Sequence, residues 1–240
     1  MSTQEDIRRG LRHATPWYVV PFDLNNERTV IFDFSENNEE LREIDFTDTT
    51  AFGRYVDQRL QRNNTTVGLG GYNENRVLYC RSALFSGQEG QEPRTVHLGI
   101  DIWAPAGTPV FAPLPGKIHS FRDNNQFGDY GPTIILEHEI DGVTFYTLYG
   151  HLRRSSLARL RKGMSIAQGA AIAELGSEEE NGSWPPHVHF QIITDMQGRE
   201  GDFPGVATMS QREEFLELCP DPNLILQVGR LENMRVAMIE

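Results

Sequence analysis

Cysteine is scarce: the 240 residues contain only Cys80 and Cys219, far apart and in no paired spacing. That argues against a disulfide scaffold and against a cysteine zinc site. No apolar run approaches the length of a membrane span, so the sequence offers no bilayer-crossing segment. Basic residues are outnumbered, 22 Lys and Arg against 34 Asp and Glu, for a formal net charge of −12. A chain this acidic lacks the basic footprint of nucleic-acid binding, and neither nucleic acid nor membrane is an expected partner. The opening stretch, MSTQEDIRRGLRHATPWYVVPF, lacks the basic start and continuous apolar core of a secretory signal. The expected compartment is the cytoplasm.

What is present is an ordinary globular composition, 38% hydrophobic and 23% charged, which supports one sizeable core. Residues 1–13 suit a short helix and 51–62 a second one. TVIFDF and LREIDF read as strands. The glycine-rich VGLGGYNENRVLYC leads into GQEGQEP, an exposed loop by composition. The expected division is therefore an N-terminal extension over 1–90, a main domain over 91–228 and a C-terminal tail over 229–240. Beyond the loop, short β-branched and aromatic runs alternate with Gly and Pro, the pattern of an antiparallel β architecture.

Two runs carry chemistry. In WPPHVHFQII, residues 184–193, strand alternation puts His187, His189 and Gln191 on one face and Val188, Phe190 and Ile192 on the other. In HLGIDIW the same alternation puts His97, Gly99 and Asp101 on one face, with Gly99 leaving room for a substrate backbone. If the two faces meet, His and Asp from one strand join two His from the other. Three of these side chains can ligate a metal while a fourth position stays open, as hydrolytic zinc requires. Either pair alone is equally well read as a solvated strand face.

The run HLGIDIWAPAGTPVFAPLPGKI, then YGPTIILEH, FYTLYGHL, GAAIAELG and PPHVHFQ resembles the lysostaphin-type zinc metallopeptidase family in order and spacing, over about residues 95–193. The resemblance implies a mainly β fold, an antiparallel β-sheet with a substrate groove of the duplicated hybrid-motif type, here with a mixed α/β N-terminal extension. It implies one Zn2+ per chain held by His97, Asp101 and His189. His151 and His187 match the family's two catalytic histidines that do not bind metal. The implied partner is a peptide or muropeptide substrate whose peptide bond is hydrolysed.

The chain departs from the family pattern in an acidic insert, SEEENGSWPP, and in reading HVHFQ where HLHFE is usual. GDYGPTIILEH, NGSWPPHVHFQ and CPDPNLIL also resemble the peptidase-like domain fused to class-III aminotransferases. Two other readings therefore stand beside the peptidase: a non-catalytic module that binds a peptide or partner, and a cytoplasmic metal-dependent hydrolase of small amides. Glu178, Glu179 and Glu180 are expected to border the groove. His138 is expected to be structural, His13 and His119 to lie on the surface, and Tyr149 to pack or to support an oxyanion. The glycines of GLGGYNENR would let its backbone pass close to the site, although an ordinary turn and strand is the expectation for this stretch.

Overall fold

The computed structural model describes residues 3–87 and 90–232. Part of the GQEGQEP loop and the tail from residue 233 onward thus lie outside the described residues. Helix α1 (Thr3–Leu11) and helix α2 (Thr49–Arg62) form where the sequence places helices. Asp48 caps α2 by accepting the Thr50 N–H at 2.8 Å, and Phe52 and Val56 turn one face inward. LREIDF differs from expectation. Asn38 accepts the Glu40 N–H at 3.1 Å and starts a 3-10 turn over Glu39–Glu43 in place of a strand.

β1 (Val30–Phe32) and β2 (Gly68–Gly70) pair in parallel, and β2 then pairs with β4 (Ile100–Trp103). The 1–90 segment therefore adds two strands to the sheet of the main domain. Between them and β3 (Arg94–His97) lie a 3-10 turn, Val77–Arg81, and helix α3 (Ala83–Ser86). Further along come β5 (Pro109–Phe111), β6 (Gly116–Asn124), β7 (Gly131–Ile140) and β8 (Val143–Gly150). Asp141 and Gly142, both at positive φ, close the β7–β8 hairpin in the two-residue turn that an Asp-Gly pair favours. β9 (Ser165–Ile166), β10 (Ala171–Glu174), β11 (His187–Ile193) and β12 (Val206–Thr208) follow, and helices α4 (Arg212–Leu218) and α5 (Asn223–Leu226) come last.

The main sheet runs β1-β2-β4-β11-β8-β7-β6-β9, antiparallel except for β1 and β2. The fold is mainly β with an antiparallel sheet, as the sequence implies. HLGIDIW is not one strand, however. β3 pairs with β12 in a small second sheet, the chain turns at Leu98–Gly99, and β4 enters the main sheet. One face of the main sheet packs Ile100, Ile102, Val188, Phe190 and Ile192 into the principal core. A second, aromatic core joins Phe32, Phe34 and Phe52 of the N-terminal segment to Trp103 and Trp184. No helix of the described residues is long and apolar enough to cross a membrane.

Candidate active site

Strand register assembles the site. His189 on β11 lies opposite Asp101 on β4 and opposite Gly150 on β8, one residue before His151. His187 lies opposite Trp103, whose indole stacks on the imidazole at 4.1 Å. His97 arrives from the end of β3. All five residues are buried, at 1–5% exposure.

His97 Nε2 and His189 Nδ1 are 2.9 Å apart, and Asp101 Oδ1 is 3.2 Å from each. The outer ring nitrogens set the tautomers. His97 Nδ1–H donates to the Gly71 carbonyl at 2.7 Å, and His189 Nε2–H donates to Gln191 Oε1 at 2.8 Å. The Gln191 amide is oriented in turn, because its nitrogen donates to Pro204 O at 3.1 Å. Both inner nitrogens thus present lone pairs to each other and to a carboxylate oxygen, an arrangement without a proton to share. A cation resolves it. A tetrahedral site with metal–ligand bonds of about 2.0–2.1 Å has ligand–ligand edges of roughly 3.3–3.4 Å, close to the distances here. Among the described residues, His97, Asp101 and His189 form the cluster able to hold a metal ion.

The other two histidines are set in the same way. His187 Nδ1–H donates to Pro185 O at 2.7 Å and His151 Nδ1–H to Asn181 O at 2.8 Å, so both Nε2 atoms carry lone pairs. His187 Nε2 is 3.9 Å from Asp101 Oδ1, and the two rings lie 4.1 Å apart. His151 holds a left-handed backbone, φ 61°, pinned by its N–H on Tyr130 O at 2.7 Å. Strain of this kind persists where surrounding structure enforces it.

Burial dominates the electrostatics. It pushes His187 down to about 4, and His97, with Arg76 adding to the effect, down to about 3. His151 is held well below its usual range by burial and by His187 beside it. Burial also opposes the charge on Asp101, yet His97 and Arg76 keep its carboxyl well below the ordinary value. These imidazoles are neutral at pH 7, the form that binds metal and accepts protons.

The structure corrects some details and agrees with others. Gly99 makes room for protein, because a Cβ there would sit 2.5 Å from His189 Cε1. Tyr149 is wholly buried and bonded to Thr147, away from the pocket, while Tyr130 lines the pocket with its hydroxyl 3.4 Å from His189 Nε2. Glu178, Glu179 and Glu180 do not line it. Glu178 lies against Gly53 of α2, and Glu180 accepts the Arg154 N–H at 2.8 Å. His13 is exposed, His119 half-buried, and His138 is held between Pro115 O and Thr147 Oγ1 at 2.9 and 2.7 Å.

Two site residues escaped the sequence. Tyr130 sits in GDYGPT, a run whose motif gives no hint of its direction. Arg76 closes GLGGYNENR, and its Nη1 lies 2.5 Å from Asp101 Oδ2. The pocket over the histidines holds about 250 Å³, and Tyr79, Leu84 and Phe85 of the N-terminal segment form one wall.

Residues 95–201 match Peptidase family M23. The uncharacterized lipoprotein YgeR of Escherichia coli is 35% identical over 39% of this chain and 33% of its own length. The peptidoglycan DD-endopeptidase ShyB of Vibrio cholerae is 24% identical over 97% of this chain and 54% of its own. The chain thus spans between one third and about half of the length of these relatives. Among solved structures, the catalytic domain of lysostaphin from Staphylococcus simulans is 23% identical, covering 67% of this chain and 97% of its own, with a TM-score of 0.38. All five converging side chains fall inside the matched residues, and the chain carries a domain of Peptidase family M23, the lysostaphin-type family its motifs resemble.

Proposed function

We propose that the protein is a zinc-dependent metallopeptidase that hydrolyses peptide bonds of the peptidoglycan type, or related glycyl and D-amino-acid peptides. The observation that carries this reading is the packing of three lone-pair atoms at 2.9–3.2 Å beside two further imidazoles whose Nε2 atoms are unprotonated. His97, Asp101 and His189 would hold the zinc, which when bound supplies Lewis acidity and lowers the pKa of a water to about 7. The relatives include peptidoglycan DD-endopeptidases, which supports the substrate class.

His187 Nε2 is the group placed to accept the proton of the attacking water. Its Pro185 hydrogen bond fixes the ring, and Trp103 stacks on its face. Burial disfavours the imidazolium so formed, which favours passing the proton on to the departing amine nitrogen. His151, locked by Asn181 O, presents the second nitrogen to the same space. Tyr130 keeps its phenolic proton, because burial raises its pKa well above the ordinary value, and so remains a donor toward carbonyl oxygen. The test is zinc content together with hydrolysis of a soluble cross-linked muropeptide and of glycyl peptides, before and after chelation. A protein that takes up no zinc, or whose turnover is indifferent to chelator, would refute the proposal.

A further inference from the structure

The stretch GGYNENR, residues 70–76, wraps two of the three ligand residues. The Gly71 carbonyl accepts the His97 Nδ1–H at 2.7 Å, and the Glu74 carbonyl accepts the His97 backbone N–H at 2.9 Å. Arg76 is 2% exposed and fully committed. Its Nε donates to Glu74 Oε2 at 2.6 Å, Nη1 to Asp101 Oδ2 at 2.5 Å and Nη2 to Gly71 O at 3.1 Å. The Phe34 ring lies 5.3 Å from its Cζ. Gly70 makes the approach possible, since a Cβ there would stand 2.7 Å from Arg76 Nη2. Asp101 therefore divides its two oxygens: Oδ2 faces the guanidinium, and Oδ1 alone faces His97 and His189, 3.2 Å from each.

We infer that Arg76 is a positioning residue of the metal centre: by occupying Asp101 Oδ2 it makes Asp101 a one-oxygen ligand, so that the N-terminal segment completes the site. The inference rests on the metallopeptidase reading. A free carboxylate can offer both oxygens to a cation, and the second would take the position that water or substrate needs. A planar guanidinium anchored through Nε on Glu74 and Nη2 on Gly71 O aims its Nη1 at Asp101 Oδ2 in a set direction, as a lysine ammonium cannot. Glu74 balances the added charge, so the ion pair orients Asp101 without adding net positive charge beside the cation.

The test uses the full chain. Replacing the pair together, Glu74→Gln with Arg76→Met, removes the guanidinium at constant net charge and leaves no unpaired buried cation or anion from the pair. Zinc affinity is read by competition with a chromophoric chelator, and coordination by the visible spectrum of the Co2+-substituted protein. The double variant is expected to bind zinc about 10- to 100-fold more weakly. Its cobalt bands should weaken as a second carboxylate oxygen raises the coordination number. Arg76→Lys, which keeps the buried charge and loses the planar guanidinium, guards against a double variant that does not fold. It should show a several-fold weaker affinity and a spectrum shifted the same way. Wild-type affinity and spectrum in either folded variant would overturn the role of Arg76. Failure of the unaltered protein to bind zinc or cobalt would instead overturn the metallopeptidase reading beneath it.

Discussion

Gln191 Oε1 lies 2.8 Å from His189 Nε2, and the same amide donates from its nitrogen to Pro204 O and toward Cys219 Sγ, both at 3.1 Å. The amide can therefore point only one way, and its orientation decides which His189 nitrogen is left for a metal. Where HLHFE would bring a carboxylate, this chain supplies a neutral acceptor. Gln191→Leu should lower zinc affinity about 10- to 100-fold, because the ring loses the group that fixes its tautomer. Gln191→Glu keeps the acceptor and should hold affinity within a few-fold, yet lower the metal-free Tm, since a carboxylate then faces Pro204 O. Chelator competition and thermal unfolding separate the two effects; equal zinc affinity in Gln191→Leu would refute the first.

The five histidine and aspartate positions should divide into two groups. His97→Ala, Asp101→Ala and His189→Ala each remove a ligand atom and should lose the metal. His187→Ala and His151→Ala should retain it and lower turnover by ~10²-fold or more, because they remove proton-transfer groups. Elemental analysis of the folded variants decides: zinc kept in the first three, or lost in the last two, contradicts the division.

Much of this site was legible because a strand's two-residue period is rigid. His187 and His189 share a face of β11 as the alternation requires, and Val188 and Phe190 back them in the core. The His97–Asp101 spacing was legible for the wrong local reason. Its residues belong to two strands in different sheets, and the bend at Leu98–Gly99, not alternation, brings them together. Arg76 and Tyr130 could not be read from periodicity at all. Each reaches the site through long-range packing, Arg76 across 25 residues to Asp101 and Tyr130 across 59 to His189. The acidic insert was misplaced because its glutamates turn toward α2 and Arg154, while Asn181, the residue after them, supplies the carbonyl for His151.

Gly99→Ala tests the close approach of the turn to His189. A Cβ would meet His189 Cε1 at 2.5 Å and Phe190 O at 2.8 Å, and the backbone oxygen cannot move aside as a flexible side chain could. Overpacking of this kind costs about 1–3 kcal/mol. The expected result is a lower Tm together with weakened zinc binding. Wild-type metal affinity would show that the turn relaxes without disturbing the ligand.

Part of the acid sensitivity should trace to His138, remote from the metal ligands, beside the share that the buried site histidines add in metal-free protein. Burial pushes its pKa down to about 4, against about 6.5 in the unfolded chain. The unfolded state therefore binds more protons between these values, and stability falls as pH drops from about 6.5 to about 4. The share from His138 is about 3 kcal/mol, with no further change from this group at lower pH. Urea unfolding of the metal-free protein and of its His138→Gln variant at pH 7, 5 and 4 measures it by difference. His138→Gln should be less stable at pH 7 but lose less on acidification; an unchanged pH slope would remove His138 from the account.

Substrate size is expected to follow from the wall that Tyr79, Leu84 and Phe85 place along a pocket of about 250 Å³. A pocket at or below the usual range for small-molecule sites suits a short, soluble peptide or muropeptide better than a strand of intact wall. The net charge of −12 adds repulsion from an anionic polymer at low salt. Soluble muropeptides should therefore be cleaved well and intact sacculi poorly. Phe85→Ala, which trims the wall without touching a ligand, should raise the rate on sacculi relative to soluble substrate. Replacing Glu178, Glu179 and Glu180 by Gln should leave that ratio unchanged, since none of the three lines the pocket. Efficient sacculus lysis by the unaltered protein would defeat the size argument, and a ratio that moves with the glutamates but not with Phe85 would shift specificity from the wall to the insert.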